Sequence, residues 1–276
     1  MSITIQDLND KSLEVTAIDI PKYHLGDKIN PNVPIHPTNC YLVASCGKGK
    51  TNLIVWLLHT HYKQFFNSIY IFSGTIHQDI WKTMKLDYDK CFETYSDELF
   101  LRVMEDIKAH PDDKTLIIID DMSGGTAYSK KNSPLAQFLT NHRHFPSPRS
   151  GTSIFLVSHA FKSVPKLIRS VIDDLIVFET SSADELEVIV NDNRGRLTKD
   201  QFLNQIYDKV EEGNYNFLYI KRKEPFATRF RINFTKILKL DMKQLIAEQG
   251  NKKNKNIKLI NNKDDPENDI IKNISK

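Results

Sequence analysis

Apolar runs of four to six residues recur along the middle of this chain, each followed by a loop and a stretch of helical periodicity. Cys40–Val43 is the first. Ser68–Ser73 (SIYIFS), Thr115–Asp121 (TLIIIDD), Thr152–Val157 and Asp174–Glu179 (DLIVFE) follow, with Lys90–Glu93 as a shorter candidate. Near-continuous apolar character, rather than alternation, predicts parallel strands buried on both faces. Between these runs, Leu99, Phe100, Val103, Met104 and Ile107 give residues 96–109 one apolar helical face, with Ser96 at its start. Ser133–His144 predicts a second helix, with Ser133 as N-cap and Pro134 at its first position. Lys162–Val171 predicts a short helix around Pro165, and residues 182–191 and 199–211 two more. Tyr215–Ile220 and Ala227–Phe234 alternate apolar and polar around KRKEP, the pattern of an antiparallel hairpin. The pattern predicts an α/β, three-layer fold with a mainly parallel central sheet and a C-terminal β-hairpin.

The flanks differ. Residues 1–38 carry four prolines and read as a lead-in segment; residues 39–246 form the domain; residues 247–276 are polar, rich in Asn, Lys and Asp, and predict a disordered tail. Net charge is +3, and residues 251–276 account for it with seven Lys against four Asp and Glu. The rest is neutral overall, so a DNA-binding surface would have to be a local patch. No apolar run approaches the roughly 20 residues of a membrane span, and the N-terminus has neither the basic start nor the apolar stretch of a secretory signal. Three cysteines, Cys40, Cys46 and Cys91, lack metal-ligand spacing and fit a reducing compartment.

The loop after the first strand carries the chemistry. Ala44-Ser45-Cys46-Gly47-Lys48-Gly49-Lys50-Thr51, followed by Asn52 and an apolar helix, is a phosphate-binding P-loop in its proper strand–loop–helix context. Small residues let backbone N–H groups wrap a triphosphate. Lys50 reaches the β/γ-phosphates, and the Thr51 hydroxyl ligates Mg²⁺. Ala44 stands where the pattern's first Gly usually stands. A basic turn on a solvated loop is the bland alternative.

Ile119-Asp120-Asp121 ends a buried strand seventy residues after the loop. Asp120 suits the water shell of Mg²⁺, and Asp121 suits a general base on the attacking water. A strand ending in a charged turn is the alternative. The long interval permits an additional-strand arrangement, with Thr152–Val157 between the P-loop strand and the Asp120 strand. Ser158 and His159 then sit at its carboxyl end, where ligands bind in open α/β sheets. His159 is either a phosphate or water sensor there or a capping histidine. His59-x-His61 fits a helix end better than a metal site.

Four segments in order, ASCGKGKT, TLIIIDDM, FLTNHRHF (138–145) and SIFLVSHAFKSVPKLIRSVIDDLIVF (153–178), resemble the viral genome-packaging ATPases of the FtsK/HerA superfamily. These are the kind carried by nucleocytoplasmic large DNA viruses and virophages. Phe161, Val164-Pro165 and Ile168-Arg169 match that family's pattern, whereas its sensor glutamine falls on His159. The resemblance covers about residues 38–235. It implies an additional-strand P-loop NTPase using ATP and Mg²⁺ as a subunit of a homo-oligomeric ring, a pentamer or hexamer. That ring would move double-stranded DNA into a capsid, with a capsid or portal-type component as partner, in the virion or a viral factory of the host cytoplasm. It also implies an arginine supplied by a neighbouring subunit. Arg143, Arg169 and Arg149 are the candidates, each with an ordinary surface arginine as alternative. Lys221-Arg222-Lys223 with Arg229 and Arg231, and Lys130-Lys131 after Gly124-Gly125, would face DNA phosphates or simply solvent. A nucleotide or small-molecule kinase, and a nucleotide-dependent scaffold with weak hydrolysis, are the competing readings.

Overall fold

The computed structural model describes residues 28–84, 86–121, 133–211, 215–245 and 247. The tail beyond residue 247, the lead-in before residue 28, and the Gly124-Gly125 and Lys130-Lys131 segment lie outside the described residues.

Strands and helices alternate as the apolar runs predict. Their order is β1 (Asn39–Val43), α1 (Lys50–Thr60), β2 (Ser68–Ser73), α2 (Asp79–Lys82), β3 (Cys91–Phe92), α3 (Asp97–Ala109), β4 (Thr115–Asp120) and α4 (Pro134–Asn141). Then come β5 (Thr152–Ser158), α5 (Lys166–Ser170), β6 (Asp174–Phe178), α6 (Ala183–Asn193), α7 (Lys199–Phe202) and α8 (Asp208–Glu211), the last two joined by a π-helical turn. The chain closes with β7 (Phe217–Lys221), β8 (Phe230–Ile232) and β9 (Lys236–Leu238). Among the described residues these strands form one sheet in the order β3-β2-β4-β5-β1-β6-β7-β8-β9. The strands from β3 to β6 are parallel to their neighbours, and those from β7 to β9 are antiparallel. β5 lies between β1 and β4, which is the additional-strand arrangement.

Each face of the sheet has its own core. On one side Ile54, Leu57 and Leu58 of α1 and Trp81 of α2 cover Leu42, Ile118 and Ile176. On the other, Phe100, Leu139, Ile168, Ile189 and Phe202 cover Tyr41, Ile117, Ile119 and Leu175. Burial on both faces is why these strands read as continuous apolar runs. The described part of the lead-in is irregular and packs on the first face, where Tyr62 donates to the Pro34 carbonyl and Lys221 to that of Pro31.

Several expectations need correction. β4 ends at Asp120, because Asp121 turns out of the strand with φ of 56°. The helix expected over Lys162–Val171 is two pieces, a 3-10 turn at Phe161–Ser163 and α5. Pro165 separates them as N-cap of α5, since proline lacks the N–H a continuing helix needs and forces the preceding residue out of helical conformation. The helix from Ser133 ends at Asn141 and tightens into a 3-10 turn over His142–His144. The C-terminal hairpin gains a third strand, β9, and extends the central sheet through β6–β7 pairing.

Candidate active site

The P-loop joins β1 to α1 at the carboxyl edge of the parallel strands. Gly47 and Gly49 take φ of 74° and 88°, a left-handed conformation that a side chain would strain. Ala44 does not, which explains how it replaces a glycine there. It is buried, and its N–H donates to the Ser158 carbonyl at 3.2 Å. α3, α4, α6 and α7 each start with a Ser or Thr side chain accepting a backbone N–H, from Ser96, Ser133, Ser182 and Thr198. α1 starts at Gly49 with no side-chain cap and no acidic residue in its first turn. Its first N–H groups and its positive dipole end are thus left for an anion. Thr51 is half-buried in that turn; Ser45, Cys46 and Asn52 are exposed around it.

Three side chains converge behind the loop. Lys50 is buried and folds back so that Nζ donates to the Ala44 carbonyl at 2.9 Å, and it lies 2.8 Å from His159 Nδ1 and 3.8 Å from Asp121 Oδ2. His159 Nε2 lies 2.9 Å from the same Asp121 oxygen. An ammonium only donates, so Nδ1 accepts and Nε2 carries the hydrogen donated to Asp121. The Tyr41 hydroxyl holds the turn that carries His159, pairing with Ser158 Oγ at 2.7 Å and donating to the Ala160 carbonyl at 3.0 Å.

Asp120 is buried beside them. Its Oδ2 accepts from Ser73 Oγ at 3.2 Å. Burial, reinforced by the Asp121 charge, pushes its carboxyl up to about 6. Among the described residues, Asp120 Oδ1 and Asp121 Oδ1 are buried without a hydrogen-bond partner. Orphaned carboxylate oxygens at a phosphate loop fit a hydrated Mg²⁺ and an attacking water. Ser73, which orients Asp120, escaped the sequence reading. Its signal, a hydroxyl ending an apolar strand, gains meaning only once β2 pairs with β4 and sets Ser73 opposite Asp120.

The arginines are not at this edge. Arg143 donates to Asp173 Oδ1 at 2.6 Å, and Asp173 precedes the first residue of β6. β1 and β6 are parallel, with Val43, next to the P-loop, opposite Val177. Arg143 therefore sits at the amino edge, about 15 Å of strand away from the loop, and its expected place on the active edge is corrected. Burial pushes the Asp173 carboxyl up, but His142, Lys223 and Arg143 around it prevail and hold it well below the usual carboxylate range. Arg149 is exposed in the loop before β5, also at the amino edge. Arg169 is buried, with Nε donating to Asp192 at 2.8 Å, Nη1 to the Val164 carbonyl at 2.7 Å, and its guanidinium over the Phe161 ring. Of the basic hairpin, Lys221 and Arg231 are buried against Glu224, Arg222 is held by Asn193, and Lys223 pairs with Asp173 at 2.8 Å. These groups are neutralised or internally bonded and do not form a free basic stripe. His59 lies at the end of α1, and His61 caps it.

An uncapped P-loop helix, Asp120 on the second strand over and β5 between them, with His159 just past its end, define a P-loop NTPase of the additional-strand type. The sequence profile of the Poxvirus A32 protein family matches residues 32–228. The chain belongs to that family, in keeping with its resemblance to viral genome-packaging ATPases. Among solved structures it is similar to the genome packaging NTPase B204 from Sulfolobus turreted icosahedral virus 2. The AMP complex of that protein aligns at 18% identity and TM-score 0.52, covering 71% of this chain and 96% of that one. The ATP-gammaS complex gives 17%, 0.52 and the same coverage, and the AMPPCP complex 17%, 0.50, 74% and 98%. At such identity the likeness is one of fold. No curated protein matches the chain.

Proposed function

We propose that this chain is the ATPase subunit of a DNA-packaging motor, binding and hydrolysing ATP and coupling hydrolysis to the movement of double-stranded DNA into a viral capsid. The observation that carries this reading is the meeting of Lys50, Asp120, Asp121 and His159 at the uncapped start of α1. Membership of the Poxvirus A32 family and the fold shared with a genome packaging NTPase solved with ATP-gammaS support it.

The loop N–H groups and the α1 dipole hold the β- and γ-phosphates. Lys50 exchanges the Ala44 carbonyl for phosphate oxygens. The Thr51 hydroxyl and Asp120 would hold Mg²⁺, which when bound would neutralise charge on the phosphates. Asp121 Oδ1, free of protein partners, accepts the proton of the attacking water. His159 keeps Asp121 aimed through its Nε2–H and, once Lys50 leaves, its Nδ1 lone pair is free to accept from a water.

The motor works as a homo-oligomeric ring, pentameric or hexameric, docked on a capsid or portal-type component, in the virion or viral factory of the host cytoplasm. No helix among the described residues is long and apolar enough to cross a membrane. Half-exposed Arg143 and exposed Arg149 remain candidates for contact with a neighbouring subunit; Arg169, buried in its own ion pair, does not.

Steady-state ATP hydrolysis with and without linear double-stranded DNA tests the reading. DNA-stimulated turnover is expected in the wild type and none in Lys50→Ala. Turnover indifferent to DNA would count against a motor.

A further inference from the structure

A cleft of about 540 Å³ opens directly beside the P-loop. Lys48, Gly49 and Asn52 form one wall, so the same residues bound the phosphate loop and the cleft. The other walls are largely aromatic, with Trp56 from α1, Phe178 from the end of β6, Tyr215 just before β7, Phe217 at its start and Phe234 after β8, joined by Leu53, Asn233 and Thr235. Trp56 and Phe234 lie nearly parallel, with ring planes 7° apart. Trp56 is 42% exposed and Tyr215 73% exposed, large apolar surface left open to solvent. Tyr215 and Asn233, both lining the cleft, hold φ of 60° and 53°, a conformation that asparagine tolerates but that is costly for the bulky Tyr215. A second opening at the loop, beside Ser45 and His159, has only about 10 Å³ of room.

We propose that this aromatic cleft seats the nucleobase of the nucleotide whose phosphates the P-loop holds, and that it grips purines by their faces without reading their edges. The assignment rests on the nucleotide-binding reading above. A triphosphate ester held at Gly49 must place its organic part next to the loop, and of the two openings described there this cleft has room for a base. Aromatic walls suit any base, because every base has a π-face. Discrimination between adenine and guanine needs donors and acceptors aimed at the exocyclic groups. The Asn233 amide cannot serve: its Oδ1 accepts from the Phe217 N–H at 3.0 Å and its Nδ2 donates to Asn216 at 2.9 Å. Asn52 lies on the phosphate-loop wall, and the Thr235 hydroxyl can donate or accept and so suits either purine; the aromatic walls therefore supply stacking in place of an edge code.

The test is equilibrium binding of ATP, GTP and inorganic tripolyphosphate to the full chain, wild type beside Trp56→Ala and Tyr215→Ala. ATP and GTP are expected to bind within about threefold of each other, and each about tenfold or more tighter than tripolyphosphate. Both variants should lose most of that tenfold margin, and Trp56 fluorescence in the wild type should be quenched by ATP and GTP but not by tripolyphosphate. Tripolyphosphate affinity of each variant reports whether its loop is still folded. Unchanged ATP affinity in both variants would place the base elsewhere and leave the ATPase reading intact. A strong preference for ATP over GTP would overturn recognition by faces alone. Failure of the wild type to bind either ATP or tripolyphosphate would instead defeat the nucleotide-binding reading itself.

Discussion

Asp120 shows how a single side chain can serve chemistry at a cost to folding. Its carboxyl titrates near 6 because it is buried beside Asp121, above the 3.8 of an unperturbed aspartate. A folded-state value above the unfolded one means the charged form opposes folding. The penalty is absent at low pH and develops as pH rises from about 4 through 6. Asp120→Asn is therefore expected to stabilise the nucleotide-free protein at pH 7.5 by on the order of 2 kcal/mol, with little effect at pH 4, while abolishing hydrolysis. Urea denaturation at the two pH values checks this, and a gain independent of pH would refute it. His159 gives a second prediction. His159→Gln, which keeps a side-chain donor to Asp121, should retain turnover. His159→Ala, which frees both Lys50 and Asp121, should lower kcat by about 10²-fold. Equal losses in both variants would show that the imidazole itself is required. The motif residues Lys50, Thr51 and Asp120 were legible in the sequence, as their chemistry dictates their spacing. The bridge from Lys50 through His159 to Asp121 was not, since it depends on which strand lies between β1 and β4 and on where β4 stops.

At the scale of elements, strand direction decides which edge a residue reaches. In a parallel sheet each connecting helix runs back from the carboxyl edge to the amino edge, so the end of the helix is far from the site. Arg143 follows α4 and Arg169 lies in the last turn of α5, and both lie with Asp173 and Asp192 at the amino edge. Their sequence context resembles the family's pattern, yet their side chains hold the fold together. Arg169→Ala leaves Asp192 without its buried partner and removes the Val164 carbonyl bond, so it should cost about 3 kcal/mol. Arg143→Ala should cost about 1 kcal/mol, because Lys223 still pairs with Asp173 and the Arg143 side chain is half-exposed. Urea midpoints separate the two. Normal stability of Arg169→Ala with lost hydrolysis would restore a catalytic role for that residue. The parallel strands were readable from their apolar runs to within a residue or two, whereas β8 takes up only three residues of the alternating Ala227–Phe234 segment. Pro165 hid a break between two short helical pieces, and α2, with four residues, is too short to show a period.

At the scale of the molecule, three parts of different origin meet at one edge. The P-loop and the Asp120 strand belong to the parallel sheet, and the antiparallel strands β7 to β9 lie on the far side of β6. A C-terminal hairpin was legible from the alternation around KRKEP. Its attachment to β6 was not, because strand partners many residues apart leave no local pattern. That attachment brings Phe217 and Phe234 to the P-loop side and gives the loop its aromatic neighbour. A compact NTPase of this design acts on DNA only if its chemical step drives motion. The most direct measurement is ATP-dependent displacement of a triplex-forming oligonucleotide from linear double-stranded DNA, comparing the wild type with Lys50→Ala and Asp121→Asn. Displacement by the wild type that requires hydrolysable ATP and is lost in both variants is expected of a DNA translocase. Vigorous hydrolysis by the wild type on the same DNA with no displacement would contradict it.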